Sequence, residues 1–422
     1  MRQCGERLRL GFAPFDCFGR VCFDIGEWRD HNCRVFVRSP TPLQEAKMNA
    51  QDGISRRALL LAGLAGSAVP LLTSMRSFSK PASSKPGIPG PYPGRVIAVR
   101  HPGSIVSGAF QAEPIRAMMH RGMAALTGSA DWAEAWRVFF EPGDVVGIKV
   151  NPVGAPHVIS CAEVIHEIVA GLKVAGVKSE DIVVYDRYRQ ELLGTGFVKM
   201  LPEGVRHSAA VEKFDQVQLD INGYDPEHYL EMALVTPGQD PASPQARRSY
   251  VARFLTKEVN KLINLPVVKD HQSAGVTLAL KNLSHGLVNN VFRSHSTPTL
   301  NACGAFIPAV VNLPVIRQKT VLHILDGIKA VYHGGPGSDH ARFVWEHKTL
   351  YFATDPVALD RIGWKAIDQR RLQAGMSVIA EAKPDQYTTF LRRQPEHIEI
   401  AGALGLGEWD ERRIELKRFE LS

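Results

Sequence analysis

The sequence predicts an α/β fold: a central, mostly parallel sheet flanked by helices, with a polar insertion. Three observations predict it. Short runs rich in β-branched residues recur along the chain, and helix-patterned segments stand between them. The strand–helix–strand stretch from Asp144 to Tyr185 has the spacing of a βαβ unit, which requires parallel pairing and a right-handed crossover. With 45% hydrophobic and 22% charged residues over 422 positions, the chain can bury one large core or two smaller ones.

The elements follow in order. Residues 95–100 (RVIAVR) read as a strand, 112–126 as a helix and 144–150 (DVVGIKV) as a second strand. Ser160 and Glu163 have the spacing of a capping box. The helix they would open presents Val164, Ile165, Ile168, Val169 and Leu172 on one face and ends at Gly176. Residues 181–185 (DIVVY) are the next strand, and 200–250 form the polar, proline-rich insertion. A buried-strand pattern resumes at 259–268 and a helix follows at 277–287. Strands are expected at 320–325 and 349–353. A helix starts with Asp355 as its N-cap and Pro356 in the first turn and runs to Gln373. A late helix at 395–404 and a strand at 413–420 complete the domain, which the sequence places at 95–422.

Three segments precede that domain. Residues 1–47 carry four of the six cysteines (Cys4, Cys17, Cys22, Cys33) without periodicity. They read as an upstream extension that is not part of the working protein, because Met48 makes a natural start. In residues 48–79, Arg56 and Arg57 directly precede an apolar run from Ala58 to Leu72, the arrangement of a twin-arginine signal. Gly63, Gly66 and Pro70 interrupt the run, which is too short for a good membrane span. Residues 80–94, dense in Pro, Gly and Ser, are the linker. The expectation is a protein exported already folded by the twin-arginine translocase. It would be periplasmic, or tethered to the outer side of the inner membrane through an uncleaved signal segment, its one membrane contact.

Charge supports this division. The net +7 is distributed as +2 over residues 1–47, +4 over 48–94 and +1 over 95–422. The domain is therefore nearly neutral, and nucleic acid is not an expected partner. Cys161 and Cys303, the remaining cysteines, read as two buried thiols, with one disulfide as the alternative.

In parallel sheets ligands gather at the carboxyl ends of strands. Lys149 and Asn151, Asp186 and Arg187, Lys269 with His271, Asp326, and Asp355 all stand at such ends. Thr277, Lys281 and His285 recur every four residues and share one helix face. An anion pocket follows from these types. Lys269 and Lys281 supply charge, Lys149 and Asn151 adjoin them, and Thr277 and Asn282 donate hydrogen bonds to a carboxylate or phosphate. His271 is the candidate general acid or base, with Asp186 beside it in the catalytic role. A divalent metal is the cofactor considered, on Asp326 and Asp355, although no local ligand spacing supports it. The glycine-rich stretch His333–His340 lacks the lysine of a phosphate loop and is equally readable as a turn. The lack of a Gly-x-Gly-x-x-Gly after a strand argues against NAD and flavin, and no Gly-x-Ser-x-Gly supports a serine nucleophile.

The segments Val146–Asn151, Asn264–His271 and Gly275–Asn282, together with Asp326-Gly327-Ile328, Gly334-Gly335-Pro336 and Asp355–Asp360, resemble the domain of unknown function 362 family over approximately residues 95–410. Twin-arginine leaders are common in that family, so the resemblance supports export. It marks Lys149, Lys269, His271, Thr277, Lys281, Asn282, Asp326 and Asp355 as signature positions and implies no settled activity. Some members carry ferredoxin-type iron–sulfur modules. This chain has no Cys-x-x-Cys-x-x-Cys run, and no iron–sulfur cluster is expected. Two functions follow: an exported protein that binds an anionic small molecule, as a metal-assisted enzyme in one form, or a non-catalytic accessory subunit of an exported redox complex.

Overall fold

Residues of the main strands alternate between two apolar faces, and that alternation explains the layering of the protein. Ile97, Val99, Val146, Ile148, Ile182 and Val184 face one hydrophobic cluster, while Val96, Ala98, Val183 and Tyr185 face the other. Both faces must therefore be covered by helices. The computed structural model describes residues 86–422. The upstream extension, the signal segment with Arg56 and Arg57, and residues 80–85 of the linker lie outside the described residues.

The main sheet runs in the order Glu415–Glu420, Arg95–Arg100, Val344–Ala353, Thr320–Val331, Lys261–Asn264, Val146–Lys149, Ile182–Tyr188, Arg206–Val211. Val344–Ala353 is antiparallel to both its neighbours, and every other pairing along this order is parallel. Helices Ala112–Thr127, Trp132–Arg137 and Ala162–Val174 supply one apolar layer. Helices Leu278–Leu287, Cys303–Val311 and Pro356–Gln373 supply the other. The α/β class and the mostly parallel sheet are thus as the sequence predicts.

Several local expectations are corrected. The polar insertion is not separate from the sheet: Arg206–Val211 pairs in parallel with Ile182–Tyr188, and Tyr224–Glu231 forms an antiparallel pair with Arg248–Ala252. The run at 259–268 is two strands, Lys261–Asn264 and Val267–His271, parted at Leu265 and Pro266. Proline has no N–H for the ladder, so the pairing shifts there. The capping box is absent. Cys161 is the N-cap of the Ala162–Val174 helix, and the Ser160 hydroxyl instead joins the Asn151 N–H (2.8 Å) to the Leu265 carbonyl (2.9 Å). Helix Cys303–Val311 was not anticipated, because its sequence is apolar throughout and contains Pro308.

Buried aspartates fix three helix starts, one as a local cap and two from a distance. Asp326 accepts from the N–H of Cys161 (2.7 Å) and Ile328 (3.0 Å). Asp355 caps its own helix through Val357 and Ala358 (both 2.9 Å) and also accepts from Gly94 (2.8 Å) and Glu408 (2.9 Å). Asp360, one turn further on, reaches across to the helix that carries Lys281 and accepts from Ala279 (2.7 Å) and Leu280 (2.9 Å). That helix needs outside help: Leu278 has a left-handed φ of 44°, and Thr277 makes no side-chain cap. Replacing Asp360 by Ala leaves two buried N–H groups unpaired. We expect Asp360→Ala to lower the unfolding free energy by about 2–4 kcal/mol in urea titration. A loss under about 0.5 kcal/mol would remove the helix from Asp360's control.

Candidate functional site

The neighbouring strands Val146–Lys149 and Ile182–Tyr188, and Val267–His271, which pairs with Thr320–Val331, all contact the Leu278–Leu287 helix. Lys149, Asp186 and Lys269 leave those strands toward the helix face that presents Thr277, Lys281 and His285. Together they line a cavity of about 440 Å³. A space of this size suits a small metabolite. His271 lines it too, while Asp326 and Asp355 do not.

Lys149 cannot reach the cavity freely. Its ammonium donates to the Val150 carbonyl (2.6 Å), Asp186 Oδ1 (2.5 Å) and Asn282 Oδ1 (3.3 Å), so all three protons are engaged. Its chain lies across Gly286, where a Cβ would stand 2.0 Å from Lys149 Cε. Any side chain at 286 would push the lysine out. Asn282 Oδ1 also accepts from Asn151 Nδ2 (2.8 Å), and Asn282 Nδ2 donates to Asn264 Oδ1 (2.8 Å). Asn151 Oδ1 in turn accepts from Lys269 (2.7 Å). The result is a continuous buried chain: Lys269, Asn151, Asn282, Lys149, Asp186. Lys149, Asn151 and Asn282, expected to touch a ligand, spend their polar atoms on one another and hold Lys269 in place. Asp186 is the counter-charge of Lys149.

Lys281 is different. Its ammonium is buried against the cavity and makes no hydrogen bond or ion pair with any described residue. Burial is the main cause that lowers it to about 8. Lys269 is lowered further, to about 7, by burial and then by the charges of Lys281 and Lys149. Among the charged groups lining the cavity, Lys149, Arg187, Lys269 and Lys281 face two carboxylates, Asp186 and Glu191. The site carries an excess of positive charge.

His271 has a defined tautomer. Its Nδ1 faces the N–H of Ser273 (3.1 Å) and of Ala274 (3.3 Å), both donors, so Nδ1 is the unprotonated nitrogen and Nε2 carries the hydrogen. Burial, then Lys281, His295 and Lys269, push its pKa well below the usual histidine value. A neutral ring with N–H at Nε2 donates hydrogen bonds and has no lone pair left for proton abstraction. The expectation of His271 as a general base is corrected on this ground. Thr277 adds a buried hydroxyl with no partner.

Asp326 and Asp355, the metal ligands expected from the sequence, face backbone amides instead. Their oxygens cap helices away from the cavity, and the metal assignment to them is withdrawn. Sequence reading also passed over His295, which lies just after a short turn, Phe292–Ser294, where no periodicity marks a face. Cys161 and Cys303 are free buried thiols. The His333–His340 loop is held within the protein: the Gly335 N–H meets Asp270 Oδ1 (2.8 Å), and the Ser338 hydroxyl meets the Gly154 carbonyl and the N–H groups of His157 and Val158.

Comparison with known proteins is sparse. A family model described as domain of unknown function (DUF362) matches residues 146–365, more than half of the chain and the part that holds every residue of the lysine chain. No curated protein matches. Among solved structures, the lactate racemase apoprotein from Thermoanaerobacterium thermosaccharolyticum aligns over 60% of this chain and 55% of its own, with 12% identity and a TM-score of 0.33. A structural-genomics protein from Thermotoga maritima aligns over 64% and 61%, with 12% identity and a TM-score of 0.36. The chain thus spans less than two thirds of the length of either structure.

The lysine chain makes a stability prediction. Asp186→Ala strands the Lys149 ammonium in a buried place without its counter-charge, and we expect a loss of about 3–5 kcal/mol in chemical denaturation. Lys149→Met combined with Asp186→Leu removes both charges and should lose clearly less. Equal losses would mean that Asp186 is not held there for Lys149.

Proposed function

The chain belongs to the domain of unknown function (DUF362) family, whose description names no activity, and we propose from the cavity itself that this protein binds a small anion carrying a carboxylate or phosphate group. The observation that supports this reading is the Lys281 ammonium, buried and without a partner among the described residues. A buried unpaired charge is costly, and an anion in the cavity relieves that cost. The hydroxyl of Thr277 and the Nε2–H of His271 are further donors toward the same space.

Lys269 gives the site a chemistry beyond binding. A lysine near pKa 7 is divided between amine and ammonium at neutral pH, the condition a general acid or base needs. Proton transfer to or from the bound anion is the reaction this arrangement serves, so we read the protein as an enzyme. We place its action outside the cytoplasm, on the strength of Arg56, Arg57 and the apolar run that follows them.

Binding should follow the lysines' protonation. Both pKa values are lowered, so both groups are charged below about pH 7, and charge is lost as the pH rises through about 7 and then about 8. We expect sulfate, which does not titrate in this range, to bind best below pH 7 and to weaken steadily above it in calorimetric titration. Proton uptake on binding should appear as a dependence of the heat on the buffer. Lys281→Met should weaken sulfate binding by about tenfold or more, the value of a charge-assisted hydrogen bond. Unchanged affinity in a folded Lys281→Met protein would end this assignment.

A further inference from the structure

We propose that His285, His295 and Cys303 form a site for one thiophilic divalent metal ion of the zinc class, set in the wall of the same cavity. One ring nitrogen from each histidine and the Cys303 sulfur all lie within 4.8 Å of one another. Among the described residues this is the one group of three such side chains so disposed. Three separate segments supply it: the last turn of the Leu278–Leu287 helix, the residue after the Phe292–Ser294 turn, and the first residue of the Cys303–Val311 helix. Convergence of two imidazoles and a thiol from three places is not required by packing alone.

The ligand types select the metal. Imidazole and thiolate suit zinc and its neighbours, whereas magnesium and calcium require oxygen. Zinc bonds of about 2.0–2.3 Å place tetrahedral ligand atoms roughly 3.5 Å apart, so side-chain adjustments of an ångström or less close the trio on an ion. Ser294 marks the centre. Its hydroxyl donates to the Val291 carbonyl (2.7 Å) and stands 2.8 Å from His295 Nδ1, 3.2 Å from His285 Nε2 and 3.9 Å from Cys303 Sγ. With its proton committed to Val291, the Ser294 oxygen accepts from the ring N–H groups that face it, so the ligand set is the two histidines and the cysteine.

The charge balance is workable. Lys281 and Arg187 oppose a bare dication, and burial holds the Cys303 thiol pKa above its usual value, with Lys281 acting against that in part. A metal bound to the sulfur would displace the thiol proton, and the resulting thiolate would cancel one charge. His285 and His295 line the cavity while Cys303 lies behind them, so an open coordination position faces the space assigned above to the anion. A metal there would polarise an oxygen of a bound anion. The metal site stands independently of the anion reading, since it requires no anion to be present.

The test uses the full chain with Cys4, Cys17, Cys22 and Cys33 replaced by Ser, so that upstream thiols cannot compete. Cobalt(II) is titrated in and the thiolate-to-cobalt charge-transfer absorption is recorded, then zinc(II) is used to displace it. We expect one equivalent of cobalt, a clear charge-transfer band, and its loss on adding zinc. Cys303→Ser should abolish the band, while Cys161→Ser should leave it intact. His285→Ala and His295→Ala should each weaken zinc binding by about tenfold or more. His295→Gln, at the cavity edge, serves as the milder variant should a truncation unfold the protein, as judged by circular dichroism. No band in the starting protein, or a band that survives Cys303→Ser, overturns the proposal. If the band result overturns the metal site while sulfate still binds, the anion reading stands and only this one falls.

Discussion

The grip of the Asp360 carboxylate on the N–H groups of Ala279 and Leu280 is the constraint from which the rest of the cavity follows. The helix it holds is buried almost all round, from Leu278 to Leu287, and starts from a strained residue. A helix of this kind cannot be oriented by an exposed polar face, because it has none. It is oriented by what its first turn and its side chains are attached to. Asp360 fixes the first turn, Asn282 ties the middle to Lys149, Asn151 and Asn264, and Gly286 admits Lys149 at the end. With those three attachments in place, Lys281 has one direction left, into the cavity.

The same attachments explain how three lysines share a small buried volume. Lys149 is neutralised by Asp186. Lys269 is held by an amide oxygen, which supplies a dipole but no charge. Lys281 has neither. The gradient is electrostatic: the first is neutralised, the second has its proton affinity lowered by burial and neighbouring charge, and the third, unpaired among the described residues, is on the reading proposed above the one available to an anion. Amides are suited to the intermediate role, because each asparagine passes on a hydrogen bond without adding charge to a region that already has too much.

Much of this was legible in the sequence. The alternating runs gave the sheet, and the i, i+4 recurrence of Thr277, Lys281 and His285 gave one face of the helix directed at the strand ends. The composition of the segment from Lys269 to His285 located the cavity. What could not be read was the division of labour within it. Nothing local distinguishes Lys149, whose three protons are all engaged, from Lys281, whose ammonium is unbound. The difference is made by Asp186, thirty-seven positions from Lys149. Asp326 and Asp355 misled for a related reason. A buried aspartate at a strand end looks the same in sequence whether it faces a metal or the N–H groups of a distant helix, and here it faces the latter. His295 and Cys303 were invisible as a pair with His285, because a turn and an evenly apolar helix carry no periodic signal. The strand within the insertion, Arg206–Val211, gave no clear signal because it lies at the edge of the sheet and is only partly buried.

The excess positive charge of the cavity has a consequence for the life of the protein as a whole. Lysines that would be fully solvated in the unfolded chain are stripped of water in the native one, so the empty form carries a standing penalty that an occupant removes. Occupancy and folding are therefore thermodynamically linked, and the melting temperature becomes a readout of what the cavity contains. On the reading proposed above, thermal shift therefore reports binding of small anions, and the midpoint should rise most for those whose charge and shape match the space beside Lys281.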